Sequence, residues 1–573
     1  MKSKMPIAAS NSKKLLLTCI LLFALVTRVW QLDKNPVALF GDEVDIGYQS
    51  YSLLKTGRDY FGNFLPVHLQ SLADKKASLY SYSIIPSVAV FGVSPWGVRL
   101  PSAIFGVIGI FILYLLTKLL FKNQTMALVA AGLMAVSPWP LHYSRLGLEG
   151  PEMMMFFLLG LYCFFSGLKK SKWLIFSALF FGLSLWTYHA AKIFLPLIIP
   201  ILILNWHKEL MVLPRKILIM AATLLVLISA PLVSSVIFDS GANRLESISV
   251  FTNPTVIGEI GASRKRDLQV NQHSEFESKI LHHPYGLYLK EISDNYFQSY
   301  SPEFLFISGD PNPRHSPTGQ GEFYKIEALL LIIGILIFAS PKVSKKAKVL
   351  LLFWLILAPI PSAITSQGGR HAFRLFFMVP PLIILMAYGF VFALENLSTK
   401  FKKIFLITCA AILAISFILF EHNYWVHYPW DSERWWQAGF EDAIKATVAE
   451  SVNYKNVIIS NADEPTLIFF LGFSQFSPER FQKSYPLKEL DLEKFGKVSV
   501  LDKYYFTQQG FEVNLYNLGF ILPPDTLYLA PIKEMKHDLV SDPGRLPPEL
   551  KLVKAIIYPS GKPAFYLFAL NKK

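Results

Sequence analysis

Long apolar runs separated by short polar segments make up most of the chain before residue 422. Most are close to the length of about 17–25 residues that a helix needs to cross a bilayer. The pattern predicts about eleven transmembrane helices, at residues 15–32, 97–117, 124–141, 152–168, 173–189, 192–206, 217–238, 326–341, 349–365, 372–394 and 404–421. The apolar stretch 79–93 is too short to span and predicts helical structure lying in the membrane interface.

Basic residues gather at every second boundary between these runs. Six tracts hold 19 Lys or Arg and a single acidic residue, Glu209: residues 1–14, 118–122, 169–172, 207–216, 342–348 and 400–403. The positive-inside rule makes these tracts cytoplasmic. We therefore expect a multi-pass protein of a bacterial plasma membrane with a cytoplasmic N-terminus. A first outer loop (33–78), a long outer loop (239–325) and the tail after residue 421 would then face outward.

The tail has shorter apolar runs and more charge than the rest of the chain. Runs of strand length occur at 456–460, 498–501, 526–529 and 564–568, and residues 435–449 have helical spacing. About 150 residues suffice for one small α/β domain. The sequence thus predicts a transmembrane domain over 1–421 and an extracytoplasmic α/β domain over 422–573.

Composition supports the membrane class and excludes others. The 573 residues are 53% hydrophobic and 17% charged, whereas soluble domains average about 25% charged residues. The net charge of +14 comes with no basic stripe interleaved with aromatic residues, so nucleic acid is not an expected partner. All three cysteines lie in predicted spans, which excludes a cysteine metal site in the outer segments.

Three carboxylates stand in the first outer loop, at Asp42, Glu43 and Asp45. A carboxylate at the membrane surface can act as a general base, bind a sugar hydroxyl or hold a divalent ion. The alternative is a solvated loop that caps a helix, with Asp42 as the N-cap residue.

A basic cluster at Arg370, His371 and Arg374 lies at the outer start of the predicted span 372–394. Like charges four residues apart repel, and a helix N-terminus attracts anions rather than cations. The cluster is therefore explained if it binds an anion such as a phosphate. Arginines that reach lipid headgroups are the alternative.

For the other polar residues of the outer segments, both a functional role and a purely structural role are possible from the sequence. His142, Arg145 and Glu149 are spaced for one helical face, either as an ion pair at a helix end or as partners of the first loop. The remaining candidates are Lys75 and Lys76 before the interfacial stretch, Tyr188, His189 and Lys192 between two spans, and Arg244, Glu246, Arg314 and His315 in the long outer loop. Lysines can contact lipid headgroups, Tyr188 can belong to an aromatic belt, and the stretch around Arg314 suits a surface turn as well as a binding loop.

Several of these stretches, in this order and topology, resemble GT-C glycosyltransferases. The resemblance is greatest to the branch of protein O-mannosyltransferases and the lipid A aminoarabinose transferase. It is carried by FGDEVDIGYQ from residue 40, LADKKASLYSYS from residue 72, HYSRLGLEGPE from residue 142, LWTYHAAKIF from residue 185, SGDPNPRHSPTGQGEF from residue 308 and GGRHAFRLFF from residue 368.

The resemblance implies a catalytic role for the acidic pair, with Asp42 as base and Glu43 positioning the acceptor. It further implies that Lys76 contacts the phosphate of a polyprenyl-phosphate sugar donor, together with Arg370, His371 and Arg374. His142, Arg145, Glu149, Tyr188, His189, Lys192, Arg314 and His315 would support the site or bind substrate. The expected reaction is an inverting displacement on the outer face, with no required cofactor and with a divalent cation left open.

The acceptor could be an envelope glycan, a lipid or a protein. A transporter or flippase of a lipid-linked or anionic substrate is the alternative function. Transporters place charges near the midplane on broken helices, whereas the spans of this chain are nearly free of charge and its polar groups lie at one rim. A non-catalytic scaffold would leave the basic cluster unexplained.

Overall fold

A computed structural model describes residues 7–72, 75–238, 248–270, 274–338, 343–492 and 494–571. Arg244 and Glu246 lie outside these residues. The chain forms two compact units, each built from three segments. The membrane unit comprises Met1–Trp30, Asp74–Leu79 and Ser102–Asn423, and the sheet unit comprises Gln31–Ala73, Tyr80–Pro101 and Tyr424–Lys573. The first outer loop is thus grouped largely with the tail.

The membrane unit is helical, and each predicted span contains a helix. The corresponding helices are Ile7–Val29, Pro95–Phe121, Gln124–Val136, Gly150–Gly167, Trp173–Leu185, His189–Asn205, Arg215–Phe238, Lys325–Phe338, Lys345–Leu357, Val379–Asn396 and Thr399–His422. Among the described residues, six helical stretches are long and apolar enough to cross a membrane. The protein is therefore a polytopic helical membrane protein, as predicted.

The long outer loop is helical in large part, which its polar composition did not predict. Its described residues form the helices Pro254–Gln269, Glu275–Leu281 and Pro284–Gln298 and a short turn at Glu303–Ile307. Proline stands in the first turn of the first and third of these, where its missing N–H costs nothing. Shorter helices of the membrane unit are Pro138–Tyr143, His207–Met211, Ile360–Ala363 and the 3₁₀ turns Val250–Thr252 and Phe376–Met378.

Two glycines allow the helices Lys325–Phe338 and Val379–Asn396 to pack closely. A Cβ at Gly334 would lie 2.1 Å from the Leu385 carbonyl oxygen, and one at Gly389 would lie 2.2 Å from the Leu330 carbonyl oxygen. Small residues at helix crossings are the usual means of close packing in a membrane. The helix Val379–Asn396, which follows the basic cluster, is therefore fixed against Lys325–Phe338.

The described residues of the tail include one mixed sheet of seven strands. In spatial order these are Lys488–Leu492, Gly496–Leu501, Tyr504–Thr507, Asn456–Ile459, Thr526–Pro531, Pro563–Leu570 and Leu550–Ile557. Asn456–Ile459 pairs parallel with both of its neighbours, and the other pairs are antiparallel. The buried side of the sheet includes Ile458, Tyr528, Tyr566 and Phe568.

All four predicted strands of the tail are present, and three further strands were missed. The missed strands Lys488–Leu492 and Leu550–Ile557 lie at the two edges of the sheet, where lysines and acids alternate with apolar residues. The predicted helix over 435–449 begins later, at Phe440, because Gly439 has a left-handed φ of 87° directly before it. Other helices of the sheet unit are Gly41–Thr56, Leu79–Ser83, Ile85–Phe91, Tyr428–Asp431, Leu467–Phe473, Pro478–Ser484, Leu515–Ile521 and Ile532–Met535.

Candidate functional site

The acidic motif of the first outer loop begins the helix Gly41–Thr56 in the sheet unit. Phe40 occupies the N-cap position, so the alternative that Asp42 caps this helix is wrong. The Gly41 amide donates to Gln437 Oε1 at 2.8 Å. Phe40 has no side-chain acceptor for the free amides at the helix start, so a residue of the tail supplies one. Asp42 lies half-buried in the first helical turn, where the helix dipole favours a carboxylate.

Glu43 is fully buried and paired with Arg99. Arg99 Nε donates to Glu43 Oε1 and Arg99 Nη2 to Glu43 Oε2, both at 2.8 Å, and neither side chain is exposed. The same guanidinium donates to the Pro36 carbonyl at 2.8 Å and to the Ala38 carbonyl. Both oxygens of Glu43 are therefore engaged in holding the helix start, and its contact with an acceptor stays a prediction.

Asp45 is also buried and takes part in an internal network. Its Oδ1 accepts from the Tyr60 hydroxyl at 2.6 Å and from Ser71 Oγ at 3.2 Å. Burial raises the pKa of the Tyr60 hydroxyl well above its usual range, and the Asp45 charge raises it further. Of the three carboxylates, Asp42 alone retains partial exposure.

The acidic helix packs against the tail within the sheet unit. Gln482 Nε2 donates to Ser52 Oγ, Thr56 Oγ1 and the Asp59 carbonyl at 2.9–3.2 Å. A Cβ at Gly472 would lie 2.3 Å from Val44 Cγ1, so the two helices approach as closely as a glycine allows. Asp42 is thus carried on a helix that the tail anchors at its start and along its length.

The membrane unit contains a polar cavity of about 460 Å³ at the basic cluster. Arg370, His371 and Arg374 line it from one segment, and Asp310 and His315 from the long outer loop. The remaining lining residues are Glu291, Asn295, Gln298, Pro311, Asn312, Ser366, Gln367 and Gly369. The structure therefore brings four of the predicted residues together with Asp310, which was not predicted.

The basic cluster lies in turns rather than at a helix N-terminus. The predicted start of the helix at residue 372 is wrong, because a 3₁₀ turn begins at Phe376 and the α-helix at Val379, with prolines in its first turn. Arg374 Nη1 donates to Thr365 Oγ1 at 2.6 Å and to the Ser366 carbonyl at 3.2 Å, which aims the guanidinium along one wall of the cavity. The anion argument thus rests on the side-chain charges and not on a helix dipole.

Asp310 joins the loop to the basic segment. Its Oδ2 accepts from the Ala372 amide at 2.9 Å and its Oδ1 from the Asn312 amide at 2.8 Å. Burial raises the pKa of Asp310 to about 6, although the charges of Arg374 and Arg370 lower it in part. The pKa of the neighbouring Glu322 is well above its usual range, because the side chain is buried and lies beside Asp310.

His142, Arg145 and Glu149 do not share a helical face, so that prediction is wrong. The helix Pro138–Tyr143 ends before Arg145, and Glu149 stands directly before the helix Gly150–Gly167. His142 Nε2 is 2.8 Å from the Arg314 carbonyl, which ties it to the long outer loop. Arg145 Nη1 donates to the Thr27 and Trp30 carbonyls at 2.8 and 3.0 Å, at the end of the first helix.

Aromatic packing joins three of the predicted segments at Phe373. Its ring lies 5.4 Å from that of Tyr143 and 4.4 Å from that of Tyr188. Tyr188 precedes the helix His189–Asn205, whose first turn carries His189 and Lys192. Lys76 is buried in the short strand Lys75–Ala77, and the Leu79 amide donates to the Trp186 carbonyl at 3.2 Å.

Sequence reasoning missed Arg99, Asp310 and Tyr143. An arginine near the start of an apolar span is itself a signal, since a charge there needs a partner. No feature of the sequence marks Asp310 or Tyr143 in this way, because their roles depend on which distant segments of the chain pack together in the fold.

A family model described as dolichyl-phosphate-mannose-protein mannosyltransferase matches residues 75–234. A Bacillus subtilis (strain 168) protein, YkcB, whose name provisionally calls it a mannosyltransferase, is 32% identical over 108 residues. That match covers 19% of this chain and 15% of the relative's length.

Two solved structures are similar to the chain at low sequence identity. The oligosaccharyltransferase AglB from Archaeoglobus fulgidus, in complex with an inhibitory peptide and a dolichol-phosphate, aligns with a TM-score of 0.50 and 14% identity. The alignment covers 82% of this chain and 64% of that one. ArnT from Cupriavidus metallidurans, bound to undecaprenyl phosphate, aligns over 98% of both chains with a TM-score of 0.49 and 10% identity. The family match confirms the predicted resemblance to the GT-C branch of protein mannosyltransferases, and the AglB alignment shows a shared fold.

Proposed function

We propose that the protein is an integral-membrane glycosyltransferase that moves a sugar from a polyprenyl-phosphate donor to an acceptor on the outer face of the membrane. The observation that carries this proposal is the polar cavity of the membrane unit, in which two arginines and two histidines converge. A phosphate ester is the simplest anion that such a set of donors would hold.

The donor phosphate would lie between Arg370, His371 and Arg374, with Lys76 as a further cation. Arginine suits this task because its planar fork can donate two parallel hydrogen bonds to one phosphate. The family match and the dolichol-phosphate present in the AglB complex support a lipid phosphate as the carrier of the sugar. The sugar would be a hexose or a pentose, and the acceptor an envelope glycan, a lipid or a protein.

The reaction would be a single displacement at the anomeric carbon. Asp42 takes the proton of the acceptor hydroxyl, the new oxygen–carbon bond forms, and the bond from that carbon to the phosphate oxygen breaks. Polyprenyl phosphate leaves without protonation, because the cations of the cavity stabilise its growing negative charge. One base therefore suffices, and attack opposite the leaving group inverts the configuration.

Release of polyprenyl phosphate tests this function directly. Purified protein is reconstituted in sealed liposomes with undecaprenyl-phosphate-linked hexoses and pentoses, and envelope extract is added as the source of acceptor. The lipid products are followed by mass spectrometry, and the leaflet that holds the intact donor is followed in parallel. Acceptor-dependent release of undecaprenyl phosphate from one donor supports a transferase. Movement of intact donor between leaflets without its cleavage would instead make the protein a flippase.

Arg374→Ala is expected to weaken binding of farnesyl phosphate about 10- to 100-fold, since hydrogen bonds to charged groups are worth about 1.5–3 kcal/mol. It should also slow single turnover, because charge grows on the leaving phosphate. Arg374→Lys should restore part of both effects, since a point charge cannot replace the fork. Binding is measured by calorimetry and the rate by quenched flow.

The matched control is Arg266→Ala, which removes an exposed arginine of the long outer loop from outside the cavity. It should leave both quantities unchanged. If Arg374→Ala binds farnesyl phosphate and turns over like the wild type, the donor phosphate does not bind in this cavity.

The proposed orientation predicts opposite accessibility of two positions. Asn63→Cys in the first outer loop should react with an impermeant thiol reagent in intact cells, and Lys345→Cys should react only after permeabilisation. Both are made in a background in which Cys19, Cys163 and Cys409 are replaced by serine. The reverse labelling pattern would place the acidic helix on the cytoplasmic side and contradict transfer on the outer face.

A further inference from the structure

The polar cavity also contains a carboxylate and two imidazoles in close proximity. One possible ligand atom each of Asp310, His315 and His371 lies within 4.8 Å of the others. His315 and His371 have ring centroids 4.6 Å apart. In a tetrahedral zinc site, bonds of about 2.0–2.2 Å place ligand atoms roughly 3.3 Å apart. Small side-chain rotations therefore suffice to bring the three groups into a coordination shell.

Each of two ligands is oriented by a hydrogen bond from outside the cluster. His315 Nδ1 lies 3.0 Å from the Tyr143 hydroxyl, and when Nδ1–H donates to that oxygen, Nε2 carries the lone pair that a metal ion requires. Asp310 is held by the Ala372 and Asn312 amides, one on each carboxylate oxygen. Metal-binding histidines and carboxylates commonly have such outer partners, which fix the tautomer and the direction of the lone pair.

The three residues come from two chain segments that the protein fastens to each other. Asp310 accepts from the amide of Ala372, the residue that follows His371. The Asp310 amide in turn donates to Glu322 Oε1 at 3.3 Å, which closes the loop that carries His315. Hydrogen bonds between the two segments therefore fix the positions of the three side chains relative to one another.

We propose that Asp310, His315 and His371 bind one divalent transition-metal ion of the zinc type, with a coordination position open to the cavity. Two imidazoles and one carboxylate favour zinc and similar ions over magnesium and calcium, which prefer oxygen ligands alone. Three protein ligands with an open fourth position are the arrangement of reactive rather than structural zinc sites.

The surroundings of the ion predict how it would behave. Arg370 and Arg374 line the same cavity, so a dication and two guanidiniums would repel one another until an anion joins them. Zinc and an anion that fills the open position should therefore each increase the affinity for the other, as linkage requires. With His371 as its ligand, the ion would replace that side chain as the neighbour of the phosphate and would add to the positive charge that the arginines supply.

The first test measures Zn²⁺ alone on the full-length protein, purified without a histidine tag. We expect one strongly bound Zn²⁺ per chain by calorimetry, with weak binding of Mg²⁺. Co²⁺ in its place should show the visible absorption of a site with nitrogen and oxygen ligands. Asp310→Asn, His315→Gln and His371→Gln should each weaken Zn²⁺ binding at least about 100-fold, since loss of an outer partner alone costs about 10- to 100-fold.

Two further variants keep the test decisive if the ligand variants fold poorly. Tyr143→Phe retains the ring that stacks on Phe373 and removes only the hydroxyl, so it should fold and lose about tenfold in Zn²⁺ affinity. His282→Gln breaks a histidine–carboxylate contact of 2.8 Å with Asp267, elsewhere in the long outer loop, and should bind Zn²⁺ like the wild type. If the wild type, Tyr143→Phe and the folded ligand variants all bind Zn²⁺ with equal affinity, the proposed metal site is wrong.

A second titration adds farnesyl phosphate and rests on the proposed function as well. A higher Zn²⁺ affinity in its presence supports both the metal site and the placement of the phosphate. Strong Zn²⁺ binding that farnesyl phosphate leaves unchanged supports the metal site and contradicts that placement. The two ideas can therefore fail separately.

Discussion

Asp42→Asn is expected to lower the rate of sugar transfer about 10²- to 10⁴-fold, the usual contribution of a general base. Asparagine has nearly the same shape as aspartate but cannot accept the proton of the acceptor hydroxyl. Because the donor phosphate is assigned to residues of the membrane unit, farnesyl phosphate should bind the variant as it binds the wild type. The loss should therefore appear in single-turnover rate and not in donor affinity.

Folding of the variant is expected to be intact for a structural reason. The start of the acidic helix is held by the Gly41–Gln437 hydrogen bond and by the buried Glu43–Arg99 pair, and Asp42 Oδ atoms are not its cap. The thermal midpoint should stay close to that of the wild type.

Two companion variants separate base catalysis from general effects of charge. Asp33→Asn removes a partly exposed acid of the first outer loop and should leave the rate unchanged. Asp45→Asn weakens the buried bond to the Tyr60 hydroxyl and should act mainly on stability. A wild-type rate in folded Asp42→Asn protein would exclude Asp42 as the base.

The sequence was a sufficient guide to the apolar helices of the membrane unit because their signal is local. Bilayer thickness requires long apolar runs, and the alternation of basic tracts depends only on neighbouring segments. The four predicted strands of the tail were found for the same reason. The start of the helix after the basic cluster was predicted too early because Ala372, Phe373 and Leu375 extend the apolar run on both sides of Arg374. The prolines at 380 and 381 mark the actual first turn.

The candidate site was predicted in part, because it is assembled from distant segments. Arg370, His371, Arg374 and His315 do line one cavity. Asp310 and Tyr143 join them through contacts that no spacing rule predicts. The buried pair of Glu43 with a residue 56 positions away was likewise not predictable from the acidic motif, and the contact of Glu43 with an acceptor stays a prediction. Only tertiary packing distinguishes these outcomes.

Breaking the Glu43–Arg99 pair is expected to cause the largest loss of stability. Removing one partner of a buried ion pair costs about 3–5 kcal/mol, because the other charge stays buried without compensation. Arg99→Met should be worse than Glu43→Gln. Arg99→Met also removes the hydrogen bonds to the Pro36 and Ala38 carbonyls, whereas the glutamine of Glu43→Gln still offers an acceptor to Arg99. Hydrogen exchange of the helix Gly41–Thr56 in the intact protein should locate the loss there.

The double variant Glu43→Met, Arg99→Met tests whether charge burial is the cause. Removing both charges should recover part of the stability lost in Arg99→Met, since two apolar side chains leave no buried charge. The matched control is Arg480→Met, which breaks a contact of 2.6 Å with Asp502 between partly exposed side chains. Such a pair contributes about 0–1 kcal/mol, so exchange of the acidic helix should not change.

The same variants decide the role of Glu43 in the reaction. If Glu43 acts by holding the helix that carries Asp42, Glu43→Gln should lower stability and rate while the KM for the acceptor stays constant. If Glu43 contacts the acceptor, that KM should rise in Glu43→Gln even under conditions where the variant is fully folded. Both carboxylate oxygens of Glu43 already accept hydrogen bonds from the Arg99 guanidinium, which favours the positioning role and a constant acceptor KM. A raised acceptor KM at unchanged helix protection would require Glu43 to leave Arg99 during the reaction.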